Sequence, residues 1–334
     1  MDIRSRRNAM IAATILAAGL ASAQSPPPAP APLDLAKMRA DISEYRKKPD
    51  TPGTGQYPAI KEMVASLPNH VIYRPADLSK FGPRKLGVLA WGNGGCAADG
   101  AGARFHLSEI ASHGYLAIAA GTILSGPGAP AGAEPLQPAL PGAPGPGQPG
   151  FSPPPLATQA SSLREAIDWA LSENERSGSP YYHRINPKWI AVSGWSCGGL
   201  QALQVASDPR VQTVVIHNSG IFPAGASPIK GLDIDKGALK KLHTSIIYIL
   251  GGPTDIAYAN GMDDFKGIDS VPAMVVNTNV GHQGTFLEAN GGRAASVAVS
   301  WLDWQLKGDQ QAAQRFVGKD CGLCKDAKWT VQRK

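Results

Sequence analysis

The chain has 334 residues, 43% of them hydrophobic and 17% charged. That is enough for one sizeable core, and it excludes a small scaffold held only by disulfides or metal. The formal charge of +6 is carried by scattered Lys and Arg, which argues against a nucleic-acid face, where the basic residues would be clustered.

Residues 1–23 read as an export signal rather than fold material. Arg4, Arg6 and Arg7 form a positive start, residues 10–20 are apolar, and Ala21-Ser22-Ala23 is a small-residue cleavage pattern. A secreted or periplasmic protein is expected. No Cys sits at the cleavage site and no other run reaches membrane-spanning length, so no stable membrane anchor is expected. Residues 24–33 are a Pro/Ala-rich linker. One catalytic domain is expected over residues 34–334.

Leu35, Met38, Ile42 and Tyr45 follow helical spacing, and a short amphipathic packing helix is expected there. Residues 70–74 and 86–91 read as strands, the second ending in a glycine-rich turn. Residues 104–112 read as a helix and 115–120 as an apolar strand. Residues 126–155 are a Pro/Gly-rich insertion that reads as a mobile rim or as a segment without a role. A helix follows on Leu163, Ile167, Ala170 and Leu171. Then come a strand over 189–194, a helix to about residue 206, and strands over 211–217, 245–250 and 273–279. A last helix carries Val297, Trp301 and Trp304 on one face. Strands alternating with helices in this way predict an α/β protein: a mostly parallel central sheet with helices on both faces.

Gly194-Trp195-Ser196-Cys197-Gly198 is a G-x-S-x-G pentapeptide between a predicted strand and a predicted helix. A turn this sharp strains the serine backbone and needs small neighbours, and the following helix N-terminus favours negative charge beside the serine. Ser196 is therefore the candidate nucleophile. A serine hydroxyl needs a base. In a strand–turn–helix site of this kind the chain order is Ser, acid, His, and only His282 lies beyond the plausible acids. His217 ends a strand but comes too early, and reads as a hydrogen-bonded structural histidine. Asp255 closely follows the apolar strand over 245–250 and is the candidate acid. Asp263 and Asp264 are the fallback pair, in a stretch that reads as solvated loop. The backbone N–H groups of Cys197 and of Asn93, in the turn Trp91-Gly92-Asn93-Gly94-Gly95-Cys96, are the candidate oxyanion donors.

Four cysteines in an exported chain suggest two disulfides. Cys321 and Cys324 read as a small structural disulfide, in preference to a redox or zinc motif. Cys96 and Cys197 become neighbours if the fold is as predicted. A Cys96–Cys197 disulfide fixing the oxyanion turn is one reading, and two buried thiols is the other.

These residues resemble the α/β-hydrolase superfamily over about residues 70–310. Within it they look most like secreted dienelactone-hydrolase-like esterases and the bacterial cutinase and polyester-hydrolase group. The resemblance rests on Ala111-Ser112-His113-Gly114-Tyr115, Gly194-Trp195-Ser196, Asp255 and His282 in order, and the Trp301-Leu302 helix with its Cys-bearing tail. It implies an α/β-hydrolase fold, a Ser196–His282–Asp255 triad, and Trp195 along the acyl side of the cleft, with Trp91 as a second substrate-lining residue. The chain has Cys197 where the polyester hydrolases usually carry Met, and Asn93 where they usually place an aromatic platform. The expected function is ester hydrolysis by a monomer, with a small ester or polyester as substrate and neither organic cofactor nor metal. The alternatives are a peptidase or amidase on the same fold, a binding protein with a relict site, and a thiol oxidoreductase working through Cys321 and Cys324.

Overall fold

The computed structural model describes residues 35–133, 156–223 and 229–334. The expected leader, the linker and most of the Pro/Gly-rich insertion lie outside the described residues. Among those described, the centre is a nine-stranded sheet. Its strands are β1 (Ala59–Val64), β2 (Leu67–Pro75), β3 (Leu86–Gly92), β4 (Tyr115–Ala120), β5 (Ile185–Trp195), β6 (Thr213–His217), β7 (Ser245–Leu250), β8 (Ala273–Asn277) and β9 (Thr330–Arg333). They lie in the order β1-β2-β4-β3-β5-β6-β7-β8-β9. The six from β4 to β8 run parallel, while β1 and β2 at one edge and β9 at the other are antiparallel. The molecule is thus α/β, with a mostly parallel sheet.

The parallel strands are apolar over most of their length because both faces are covered, apart from the exposed or half-buried Asn186-Pro187-Lys188 at the start of β5. Alternation sorts their side chains between two cores. Leu86, Val88 and Ala90 of β3 enter one core. There they meet Leu163, Ile167 and Ala170 of α3 (Ala160–Glu175) and Leu200 and Leu203 of α4 (Cys197–Val205). Leu89 and Trp91 enter the other. Its helices are α2 (Arg104–Ser112), through Leu107 and Ile110, and α6 (Gly292–Lys307), through Val297, Trp301 and Leu302. The Nε1–H of Trp301 donates to Thr213 Oγ1 at 2.8 Å, so this large ring is buried with its polar edge satisfied.

Three differences from the expected elements have physical causes. The edge strands β1 and β9 carry weak signals: β1 leaves Ile60 and Met63 exposed, and β9 is mostly polar. Asp263 and Asp264 lie in helix α5 (Tyr258–Gly267), not in a solvated loop. Asp264 is fully buried, accepting from Ile221 N–H at 2.8 Å and facing Lys236 Nζ at 2.6 Å. Burial raises its carboxyl to about 6. Gly261 and the run of polar residues hide the helical period there. Two four-residue helices, α7 (Gln310–Ala313) and α8 (Gly322–Lys325), complete the tail. Cys321 and Cys324 are disulfide-bonded at the start of α8, and Leu323 anchors that turn in the core.

Strand β3 pairs with β4 on one side and β5 on the other, so chain direction across the sheet reverses at β3. The loops after β3 and β5 diverge to opposite faces and leave a crevice at the C-terminal edge. In open parallel sheets, ligands bind at such a switch point.

Candidate active site

The residue that follows β5 is Ser196. Its φ of 53° and ψ of −122° lie in a region that L residues rarely adopt. The close approach beneath it dictates the neighbouring glycines. A Cβ on Gly194 would collide with the Gly198 carbonyl, and one on Gly198 with the Gly92 carbonyl and Asn93 N. The elbow therefore packs directly on the end of β3. Ser219 Oγ–H donates to Ser196 O at 2.7 Å and braces the strained residue.

Ser196, His282 and Asp255 come together from three separate loops at the C-terminal edge of the sheet. Asp255 follows β7, and His282 follows β8. Ser196 Oγ lies 2.9 Å from His282 Nε2, and His282 Nδ1 lies 2.6 Å from Asp255 Oδ1. A neutral imidazole with its proton on Nδ1 satisfies both contacts: Nδ1–H donates to the carboxylate and Nε2 accepts from the serine hydroxyl. The Asp255 carboxylate is fully buried and also accepts from Ala257 N–H at 2.9 Å and Gly251 N–H at 3.3 Å. Its charge is thus held by fixed dipoles rather than by solvent.

The His282 loop is held from two sides, by Trp195, which the sequence marks as a cleft residue, and by Asn218, which it does not mark. Trp195 Nε1–H donates to His282 O at 2.9 Å. Asn218 Nδ2 donates to the same carbonyl at 2.8 Å and to Gly281 O at 2.9 Å. Asn218 directly follows β6, so its place at the C-terminal edge was the available signal.

The candidate oxyanion turn begins at Asn93. Asn93 Nδ2 donates to Ala97 O at 2.9 Å and Ala120 O at 2.6 Å, which pins the turn to the end of β4. Gly94 lies against the Trp195 ring, where a Cβ would collide with it. The backbone N of Cys197 opens α4, where a helical amide lacks an intrahelical partner. A disulfide joins Cys96 to Cys197, with Cα atoms 5.2 Å apart. The turn after β3 and the residue after Ser196 are therefore covalently linked.

One expectation needs correction. His217 is buried, but among the described residues neither ring nitrogen has a hydrogen-bond partner. Its ring packs edge-on against His106, with centroids 4.7 Å apart, and beside Trp91 and Phe286. Burial holds both imidazoles neutral, pushing His106 down to about 3 and His217 well below its ordinary value. Trp91 lines the same pocket as Asn93, Gly94 and Trp195. It is fully buried, and its ring lies at the base of the crevice on His106, His217 and Phe286. Trp195, by contrast, is partly exposed and packs on Phe286 and His282.

Among the described residues, no three His, Cys, Asp or Glu side chains are grouped to hold a metal ion. None of the described helices is long and apolar enough to cross a membrane. No protein-family model matches the chain, and no curated protein matches it in sequence.

Proposed function

We propose that the protein is a secreted serine esterase of the α/β-hydrolase superfamily that cleaves carboxylic esters through an acyl-enzyme. The observation that carries this reading is the unbroken hydrogen-bonded chain Ser196 Oγ–His282–Asp255 at the sheet's switch point. Hydrogen bonding of this kind lets the imidazole take the serine proton as the hydroxyl attacks, while the buried carboxylate stabilises the resulting imidazolium.

In the first half-reaction Ser196 Oγ attacks the ester carbonyl and its proton passes to His282 Nε2. The carbonyl oxygen becomes an oxyanion, facing the N–H groups of Asn93 and Cys197. The intermediate collapses, the C–O bond to the alcohol breaks, and the imidazolium protonates the departing alcohol. Water then repeats the sequence on the acyl-enzyme, with His282 as base, and releases the carboxylic acid. Two disulfides among the described residues are in keeping with an oxidising compartment.

The test is direct. A fluorophosphonate probe labels the Ser196 peptide of the wild-type protein, and Ser196→Ala abolishes both the labelling and the hydrolysis of 4-nitrophenyl esters. Wild-type hydrolysis that survives Ser196→Ala, or labelling at another serine, overturns the reading. Amide substrates of matched structure, run alongside, are cleaved far more slowly if the activity is that of an esterase.

A further inference from the structure

Against the candidate oxyanion turn and Trp195, the residue before Ser196, lies a pocket of about 120 Å³ with a largely apolar lining. Ile42 and Tyr45 belong to the N-terminal helix α1 (Leu35–Lys47), Trp91 to β3, Ala97 to the loop after it, Trp195 to the serine elbow, and Leu287 to the loop beyond His282. Its polar lining is partly engaged elsewhere, while the buried oxygens Asn93 Oδ1, Ser125 Oγ and Gln283 Oε1 have no hydrogen-bond partner among the described residues. The Asn93 amide donates to Ala97 O and Ala120 O, and Asp99 Oδ1 accepts from Ala101 N–H and Leu124 N–H.

Helix α1 reads in the sequence as a packing element, yet it forms a wall of this pocket. It is docked by one buried cation. Arg104 is fully buried and donates through Nη2 to Tyr45 O at 2.6 Å and Lys48 O at 2.9 Å. Its Nε is 3.0 Å from Asp50 Oδ1, and its guanidinium stacks 3.9 Å from the Tyr45 ring centroid. Carbonyls at a helix C-terminus are the natural partners of such a cation. The clamp fixes the end of α1 that carries Ile42 and Tyr45.

We infer that α1 is the acyl wall of the cleft and that Ile42 sets the length of acyl chain accepted, favouring short, apolar acyl groups. The assignment to the acyl side follows from the pocket's contact with the candidate oxyanion turn and Trp195. The alcohol must leave on the side of the His282 ring, which protonates it. This inference rests on the esterase reading.

The experiment measures kcat/KM for 4-nitrophenyl acetate, butanoate and octanoate with wild-type protein, Ile42→Phe and Ile42→Ala, with Tm as the folding control. A filled or emptied apolar subsite changes discrimination between homologous substrates by roughly 10-fold or more. Ile42→Phe should lower the butanoate-to-acetate ratio by about that factor, and Ile42→Ala should raise the octanoate-to-butanoate ratio similarly. Leu287→Ala, which opens the pocket without touching α1, should also raise the octanoate-to-butanoate ratio. Unchanged ratios in folded variants overturn the inference while leaving the esterase reading intact. So does a change confined to a series of alkyl acetates that varies the alcohol. A wild-type preference for 4-nitrophenyl hydrogen glutarate over the neutral pentanoate also overturns it, because the charge of the lining residue Arg46 would then govern selection. Turnover of none of these esters overturns both readings together.

Discussion

Asp255 is held by the backbone before His282 ever reaches it: Gly251 N–H and Ala257 N–H fix the carboxylate, and His282 Nδ1 is its third partner. Asn at this position retains the shape and can keep accepting from the backbone. Its amide turns a donor toward Nδ1, however, and so favours the imidazole tautomer that cannot accept the serine proton. Asp255→Asn should therefore fold with a Tm near that of wild type and lose on the order of 10⁴ in kcat. Full activity in that variant would remove Asp255 from the site. Chain order made Ser196, Asp255 and His282 readable in the sequence, because each directly or closely follows an apolar strand. Asn218 and Ser219 also follow an apolar strand, β6, but neither is a residue type that the triad chemistry calls for at that place in the chain order, and Ile42 follows no strand. Their relation to the site exists only in space, through carbonyls and pocket walls contributed by distant segments.

The turn after β3 and the N-terminus of α4 are two elements joined by a single covalent bond, Cys96–Cys197, which closes a loop of 101 residues. In the chain-entropy account, a loop of that size is worth roughly 4–5 kcal/mol of stability. The bond also holds Asn93 and Cys197, the two candidate oxyanion donors, in fixed relation, and loss of one such donor typically costs ~10²–10³ in turnover. Replacing both residues by Ala should lower Tm and reduce kcat by at least about 10-fold, with a smaller effect on KM. The same exchange at Cys321 and Cys324, which are three residues apart in the tail, should leave kcat unchanged. Equal kinetic effects at the two bonds would mean that the first has no special link to the site. At this scale the sequence was most legible where strands are buried on both faces. The apolar runs of β4 and β7 have the expected limits. It was least legible at β1, β9 and α5, where edge exposure or an internal glycine blurs the period.

Across the whole molecule, the buried titratable groups set how the fold responds to acid. His106 and His217 sit in one aromatic cluster with Trp91 and Phe286, and His70 is buried at the other core with a hydrogen bond to Ser162 O. Burial lowers all three imidazoles below the ordinary 6.5, His106 to about 3. The unfolded chain therefore binds more protons than the folded one as pH falls below 6.5. Their stabilising contribution is complete above that value and is lost as pH drops toward each folded value, at about 1.4 kcal/mol per pH unit for a single group. Asp264 acts in the opposite sense: raised to about 6, it contributes stability at low pH that is lost as pH rises through that value. Comparing slopes between proteins that all retain Asp264 separates the two effects. Wild-type protein should lose several degrees of Tm between neutral pH and about pH 5, and His106→Phe or His217→Phe, each keeping an aromatic ring in the cluster, should lose less. Only the change of Tm with pH is diagnostic, because a bulkier ring in a close-packed core can itself lower Tm at every pH. Parallel Tm–pH curves for wild type and both variants would show that protons reach neither imidazole before the fold opens for another reason.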